Sequence, residues 1–199
     1  MIRDPPWIRL PDKSPAQILR ELEPAALAGD SRMAYGIFVV IDECRRTRAT
    51  QVTQFEACKT LTEADYESGE RWLKMSAEAG FVFSLHEMAR RTQHGEDDEQ
   101  ALIINRRRWE AGDINALDSL TRLTDARDPI LSAAYEMVYL EINTALGRSR
   151  EHPNAKRMAN DIRDRLTARL ESLSAEDRQR VLGKAKELLA TNAACCLRL

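Results

Sequence analysis

The sequence predicts an all-α fold, a stacked array of antiparallel helix pairs with a C-terminal helical hairpin. Apolar residues recur at spacings of three and four along most of the 199 residues, which is the periodicity of a helix with one buried face. Ala-Gly occurs at residues 28–29, 79–80 and 111–112, each time between two predicted helices. A helix–Gly–helix unit that recurs in this way favours a stacked array, because one pair cannot bury its apolar face alone.

The N-terminal region combines a proline-rich arm with one helix. Residues 1–13 lack helical periodicity and are predicted to form an extended arm. Ser14 followed by Pro15 is typical of a helix start, since serine caps free N–H groups and proline suits the first helical position. Pro24 should kink or interrupt this helix because it lacks the N–H of the helix ladder, and Gly29 should end it.

The second helix carries the most regular apolar stripe of the chain. Asp30 is predicted to cap it. Its buried face is expected at Met33, Ile37, Val40, Ile41 and Cys44. Residues 45–50 are predicted to be a polar break, and a short helix is predicted over residues 52–58, with Phe55 facing inward.

Two helix pairs are predicted in the middle of the chain. The first starts at Thr62, has acidic residues in its first turn as the helix dipole favours, ends at Gly80 and continues into a partner over residues 81–93. The second joins a helix over residues 99–111 to one that Asp113 caps. Their apolar stripes comprise Trp72, Met75, Ala79, Leu85, Met88, Ala89, Leu102, Ile103, Trp109, Ile114, Leu117, Leu120 and Leu123.

Three further helices are predicted after residue 128, and with them the chain divides into three regions. A helix from Pro129 to residue 146 is expected to stop at Gly147, and a capping-box sequence at Ser174 separates the two charged helices that follow. Their narrow stripes comprise Met158, Ile162, Leu166, Leu170, Leu173, Val181, Leu182, Ala185, Leu188 and Leu189. The predicted regions are an extended arm at 1–13, a degenerate helical-repeat array at 14–150, and a C-terminal hairpin at 151–199 packed on the array.

Charge and hydropathy exclude some classes of partner. Acidic and basic residues nearly balance at a net charge of -2, whereas nucleic-acid-binding chains normally have a basic excess. Three adjacent arginines at residues 106–108 leave a small anion site open, although such a run fans around a helix and is more often a solvated face. No apolar run approaches the roughly 18 residues of a membrane span, and the first residues lack a signal-peptide core. We therefore expect no nucleic-acid partner and no integral membrane segment.

Four cysteines bear on the redox environment. Cys44 ends one predicted helix and Cys58 lies on the next, and two antiparallel helices would bring them within bonding distance. A disulfide and two buried free thiols both remain open; a disulfide would indicate an oxidising compartment such as the periplasm. Cys195 and Cys196 are adjacent and cannot bond to each other without a strained peptide geometry. With no Cys-x-x-Cys and three histidines, no metal site is predicted.

No motif in the sequence predicts catalysis. His86 directly precedes Glu87, so their side chains leave the helix on different faces and are poorly arranged as an acid–base pair. The chain contains no Gly-x-Gly-x-x-Gly, phosphate-loop or Gly-x-Ser-x-Gly motif. We therefore expect no enzymatic activity, no catalytic residues and no cofactor.

The Gly80 corner is the predicted region of partner binding. Aromatic residues at helical spacing are usually core, but Phe81 and Phe83 follow Gly80 directly and need not both be buried. Exposed aromatic side chains are good anchors for a peptide partner. The candidate partner-binding residues are Phe81, Phe83, His86, Arg106 and Trp109.

The segment at 69–80 resembles the first helix of a Sel1-like repeat, a family related to the tetratricopeptide repeats. Such a helix carries an aromatic residue, then small residues, then Ala-x-x-Gly. Trp72 takes the aromatic position here, and Ala77 and Gly80 take the last two. Residues 84–88 would begin the second helix of the repeat.

Further copies extend the resemblance to roughly residues 25–125. A weaker copy covers residues 101–124 and another begins near Ala28, at unequal intervals that make the array degenerate. The resemblance implies a right-handed superhelix of helix pairs with an adaptor or scaffold role. Bacterial members often lie in the periplasm and some carry paired cysteines, which agrees with Cys44 and Cys58.

The leading hypothesis is a non-enzymatic helical-repeat adaptor or scaffold that binds a protein or peptide in a groove beside the Gly80 and Gly112 corners. Its expected location is the periplasm after signal removal, with the cytoplasm as the alternative. Two other functions stay open: a hydrolase or transferase with a non-motif active site, and a self-associating structural subunit.

Overall fold

The computed structural model describes residues 13–50, 55–92, 98–145 and 153–196. Every regular element within these residues is helical, which confirms the predicted all-α class. Most of the predicted arm, the beginning of the helix predicted at 52–58, and Gly147 lie outside the described residues. The helices are α1 Pro15–Leu27, α2 Ser31–Thr50, α3 Phe55–Cys58, α4 Glu63–Glu78, α5 Val82–Thr92, α6 Asp98–Glu110, α7 Ala116–Thr124, α8 Pro129–Ala145, α9 Pro153–Ser172 and α10 Ala175–Cys196.

The chain divides into two compact units, residues 1–88 and residues 89–199. In the first unit α2 is central, and α1, α3 and α4 pack against it. Helices α2 and α4 approach closely at Gly69, where an added Cβ would lie 3.1 Å from Cγ2 of Ile41. The core of this unit includes Leu19, Ile37, Phe38, Ile41, Trp72 and Leu73.

In the second unit α8 is central. Helices α7, α9 and α10 pack against it, and α6 packs against α7. Both helices of the predicted C-terminal hairpin therefore contact the same helix, α8. The boundary between array and hairpin at residue 150 remains a prediction. The core of this unit includes Leu117, Leu120, Val138, Ile142, Leu166 and Val181.

The three Ala-Gly sequences form the same backbone corner. At Gly80, the Gly80 N–H donates to the Ala77 carbonyl at 2.9 Å and the Phe81 N–H donates to the Ser76 carbonyl at 3.1 Å. This pair of bonds is the Schellman motif, which satisfies the last carbonyls of a helix. The corners after α1 and α6 repeat both bonds, and all three glycines have positive φ: 98° at Gly29, 80° at Gly80 and 92° at Gly112.

Replacing Gly80 by alanine is expected to destabilise the first unit by about 1–2 kcal/mol, because a Cβ strains a left-handed backbone. An added Cβ would have no atom within 4 Å, so the cost is conformational and not a clash. Gly183 is the matched control: it lies inside α10 with equal free space, and Gly183→Ala should instead stabilise by about 0.5–1 kcal/mol. Urea unfolding measures the change in the free energy of unfolding for both variants. If Gly80→Ala and Gly183→Ala changed it in the same direction, the strain argument for Gly80 would be contradicted.

The predicted break over residues 45–50 is wrong, and Pro24 does not interrupt its helix. Helix α2 runs through residues 45–50, and α1 runs through Pro24 to Leu27. The polar residues after Cys44 have tertiary partners: the Arg45 guanidinium donates to the Tyr66 carbonyl at 2.7 Å, and Arg48 pairs with Glu63 at 2.8 Å. Pro24 sits in the last turn of α1, where its carbonyl still accepts the Ala28 N–H at 3.1 Å.

Most predicted caps and stripes are confirmed, but Ala79, expected on a buried face, is exposed, and the side chains of Phe55 and Met158 lie outside what the structure describes. Ser14 and Gln17 form a reciprocal capping box, as do Thr62 and Asp65. Leu182 was expected in the stripe of α10 but is 41 % exposed, while Val181 and Ala185 of the same stripe are buried. Ile103, one of the apolar residues of α6, is 51 % exposed, because its neighbours Ala101 and Ile104 face the core.

Candidate functional site

Four aromatic side chains meet beside the Gly80 corner in the first unit; we call Tyr35, Phe38, Phe81 and Phe83 the corner aromatics. The Tyr35 ring lies 5.8 Å from Phe38, 5.4 Å from Phe81 and 5.9 Å from Phe83, measured between ring centroids. Phe81 and Phe83 are 5.3 Å apart. Phe38 is buried, whereas the other three rings are half-buried and keep part of their surface in solvent.

Small polar residues hold the helices that carry the corner aromatics. The Ser76 hydroxyl on α4 donates to the Ser31 carbonyl on α2 at 2.6 Å, and the Ser84 hydroxyl on α5 donates to Ser76. Both serines are fully buried, and their short side chains allow the helices to approach closely. The Schellman corner at Gly80 then starts α5 so that Phe81 and Phe83 reach Tyr35 on α2.

The Tyr35 hydroxyl is neutral at physiological pH. Burial raises its pKa above the ordinary value of 10.0, and the carboxylates of Glu87 and Asp42 raise it further, against a smaller opposing effect of Arg46. A neutral phenol both donates and accepts hydrogen bonds. The surface of the corner aromatics therefore combines apolar ring area with one polar group.

The other predicted partner-binding residues are dispersed. His86 is exposed on α5 of the first unit, whereas Arg106 and Trp109 belong to the second unit. Arg106 is exposed, and its charge lowers the pKa of Tyr135 against the larger, opposite effect of burial, which raises that pKa above 10.0. Trp109 is 4 % exposed and lies in the core, so it contributes to packing and offers no surface to a partner.

Cys44 and Cys58 are at disulfide-bonding distance, with their Cα atoms 5.4 Å apart. The sequence left both a disulfide and two buried free thiols open, and the structure has the disulfide. The bond joins α2 to the single turn of α3, and both cysteines are buried. Thr47 lies beside it, with its hydroxyl 3.6 Å from the Cys58 sulfur, and the Tyr66 hydroxyl donates to the Cys58 carbonyl at 3.3 Å.

A second feature of the first unit was not predicted from the sequence: a cleft of about 450 Å³ between α1 and α4, which we call the Trp72 cleft. Leu19, Ile37 and Trp72 supply apolar lining, and Thr60 and Thr62 form a wall directly after α3. The sequence places Trp72 on a buried helical face, as observed. The space beside it depends on the distance between two helices that are far apart in the chain, and no local pattern reports that distance.

The arginine run at 106–108 divides between surface and core. Arg106 is exposed, but Arg108 is 3 % exposed and donates to one Asp113 oxygen from Nε at 2.9 Å and from Nη2 at 2.6 Å. Its Nη1 donates to Oδ1 of the buried Asn105 at 2.7 Å. The prediction that Asp113 caps α7 is wrong: the N-cap residue is Asn115, and no side chain caps that end. The other Asp113 oxygen accepts the Asn115 N–H at 3.0 Å, so Asp113 serves the turn and the ion pair together.

A second buried carboxylate, Glu136 on α8, lies between two arginines of α9. Its Oε1 is 3.2 Å from Nη2 of Arg165, and its Oε2 is 3.7 Å from Nε of Arg169. Arg169 also pairs with Asp125 at 2.8 Å. These ion pairs connect α8, α9 and the turn after α7, all within the second unit.

Neither a metal centre nor a membrane-spanning element is found in the part of the chain that the structure describes. No three acidic, histidine or cysteine side chains there come together as a metal would require. No described helix has both the length and the apolar character needed to cross a bilayer. Comparison with protein-family models, with curated proteins and with solved structures finds no match to this chain.

Proposed function

We propose that this chain is a non-enzymatic adaptor or scaffold that binds a peptide or protein partner through the corner aromatics. The observation that carries the proposal is the half-buried cluster of Tyr35, Phe81 and Phe83. Large aromatic side chains with one face in solvent are the usual anchors of protein interfaces, because they bury much apolar area at little cost in side-chain entropy. Here the rings are also held in place by the buried Phe38 and by each other.

The repeated corners support a helical-repeat origin for this surface. Three Schellman corners with the same bonds and positive φ agree with the proposed Sel1-like relationship and with a superhelical array. Repeat proteins of this kind generally use their surfaces for binding. The pairing of Cys44 with Cys58 supports an oxidising compartment such as the periplasm as the place of function.

A random-peptide display selection against the full chain tests the proposed binding site. Peptides that bind the wild-type chain are expected to bind Phe81→Ala and Phe83→Ala about 10-fold or more weakly, because truncation of a hot-spot side chain costs about 2 kcal/mol or more. Fluorescence polarisation of labelled peptides measures the change. Circular dichroism establishes that each variant is folded.

Leu27→Ala is the matched control for this experiment. Leu27 is also in the first unit and is 56 % exposed, but it does not belong to the corner aromatics. Its replacement should leave the affinities unchanged. Selected peptides that bind Phe81→Ala and Phe83→Ala as well as they bind the wild type would overturn the proposal.

A further inference from the structure

The Trp72 cleft has the form of a small-molecule site. Its volume of about 450 Å³ lies within the range of known ligand pockets, roughly 300–1,000 Å³. Its apolar lining comes from all three main helices of the unit: Leu19 on α1, Ile37 on α2 and Trp72 on α4. Such lining favours a ligand with an apolar body.

Two cations line the cleft, one on each of its helices. Arg20 comes from α1 and Arg71 from α4, and neither forms an ion pair with any described residue. The Arg20 Nε donates to the Ala16 carbonyl at 3.2 Å, which leaves its terminal nitrogens to other partners. The Arg71 guanidinium lies over the Trp72 ring, 5.5 Å from its centroid, and stays at the cleft.

The two acids of the cleft differ in their availability. One oxygen of Asp65 accepts both the Thr62 N–H and the Thr62 hydroxyl at 2.7 Å, as part of the cap of α4. Glu23 is exposed on α1 and lies outside the cap. The Asp65 carboxylate keeps its charge in the cap, so an anionic ligand would meet two guanidinium donors and be opposed by two carboxylates.

We propose that the Trp72 cleft binds a small organic anion with an apolar body, such as an aromatic or aliphatic carboxylate or sulfonate. The apolar part would lie against the parts of Leu19 and Trp72 that stay accessible from the cleft, above the buried Ile37, and the anionic group would accept hydrogen bonds from Arg20 and Arg71. This site is separate from the corner aromatics and does not depend on the proposed adaptor function.

Two fluorescent probes of similar shape test the site: anilinonaphthalene sulfonate, which is anionic, and phenylnaphthylamine, which is neutral. We expect the anionic probe to bind the full chain more tightly than the neutral one. Arg20→Gln and Arg71→Gln should each weaken the anionic probe about three- to tenfold and leave the neutral probe unchanged, since both guanidiniums are solvent-exposed. Arg71→Lys should keep most of the affinity, and Glu23→Gln should increase it.

Three controls locate the probe. Ala64→Trp places a large side chain at an exposed lining position and should block both probes. Arg32→Gln removes an exposed arginine elsewhere in the same unit, and Phe83→Ala alters the corner aromatics; neither should change binding. Binding that survives Ala64→Trp, or an anionic probe that is indifferent to Arg20→Gln and Arg71→Gln, would overturn the proposal.

Discussion

Asp113→Ala is expected to destabilise the second unit by about 3–5 kcal/mol, which is the usual effect of removing one partner from a buried ion pair. The Arg108 guanidinium is buried, and two of its nitrogens donate to a single oxygen of Asp113. Without that carboxylate the buried guanidinium would lose its opposite charge and two hydrogen bonds, while its Nη1 would still donate to Asn105. Thermal and urea unfolding measure the loss.

Asp118→Ala is the matched control for this prediction. Asp118 also forms an ion pair in the second unit, with Arg122 at 3.0 Å, but the arginine of that pair is exposed. Its removal should cost less than about 0.5 kcal/mol, because solvent screens an exposed pair. Arg108→Met combined with Asp113→Ala should recover much of the stability, since a buried pair can be replaced by apolar side chains. A small effect of Asp113→Ala alone would show that the guanidinium finds another partner.

Loss of the Cys44–Cys58 disulfide is expected to destabilise the first unit by about 3 kcal/mol, the effect predicted for a closed loop of roughly 15 residues. The two cysteines are separated by 14 positions, and the bond attaches the one-turn helix α3 to α2. Its removal also releases one wall of the Trp72 cleft, because Thr60 and Thr62 follow α3 directly. Hydrogen exchange should therefore accelerate in α2 and α4 when the protein is reduced.

The double variant Cys44→Ser, Cys58→Ser separates this effect from other actions of the reductant. It should exchange like the reduced wild type, and adding reductant should change it no further, even though Cys195 and Cys196 are retained. Helices α8 and α9 of the second unit provide the internal reference. Equal exchange of α2 and α4 in oxidised and reduced protein would contradict the proposed role of the bond.

Local chemistry made much of the helical architecture predictable. Ser14 and Thr62 begin helices because their hydroxyls can cap the first N–H groups, and this depends on neighbours three residues away. Gly80 ends a helix because it alone accepts positive φ without strain. The errors come from contacts that are remote in sequence. Residues 45–50 are polar and were predicted to break α2, yet Arg45 and Arg48 contact Tyr66 and Glu63 of α4.

The candidate binding surfaces also combine residues that local sequence could identify with residues that only tertiary packing brings together. Phe81 and Phe83 could be selected from the sequence because they follow a glycine corner, but Tyr35 and Phe38 join them only through the packing of the first unit. The sequence could not distinguish a core position from an exposed binding position for Trp109, since an apolar aromatic side chain suits both equally well. Its burial depends on the helices of the second unit that surround it.

The sequence by itself determined that the chain is helical, where most helices begin and end, and that three corners repeat, because caps, glycines and apolar spacing act within a few residues. Only the tertiary structure decided that Cys44 and Cys58 pair, that Arg108 is buried beside an exposed Arg106, and that a cleft separates α1 from α4. These features depend on distances between segments that are remote in the chain. Side chains of the same type can therefore be packed, paired or exposed according to which helix lies opposite them.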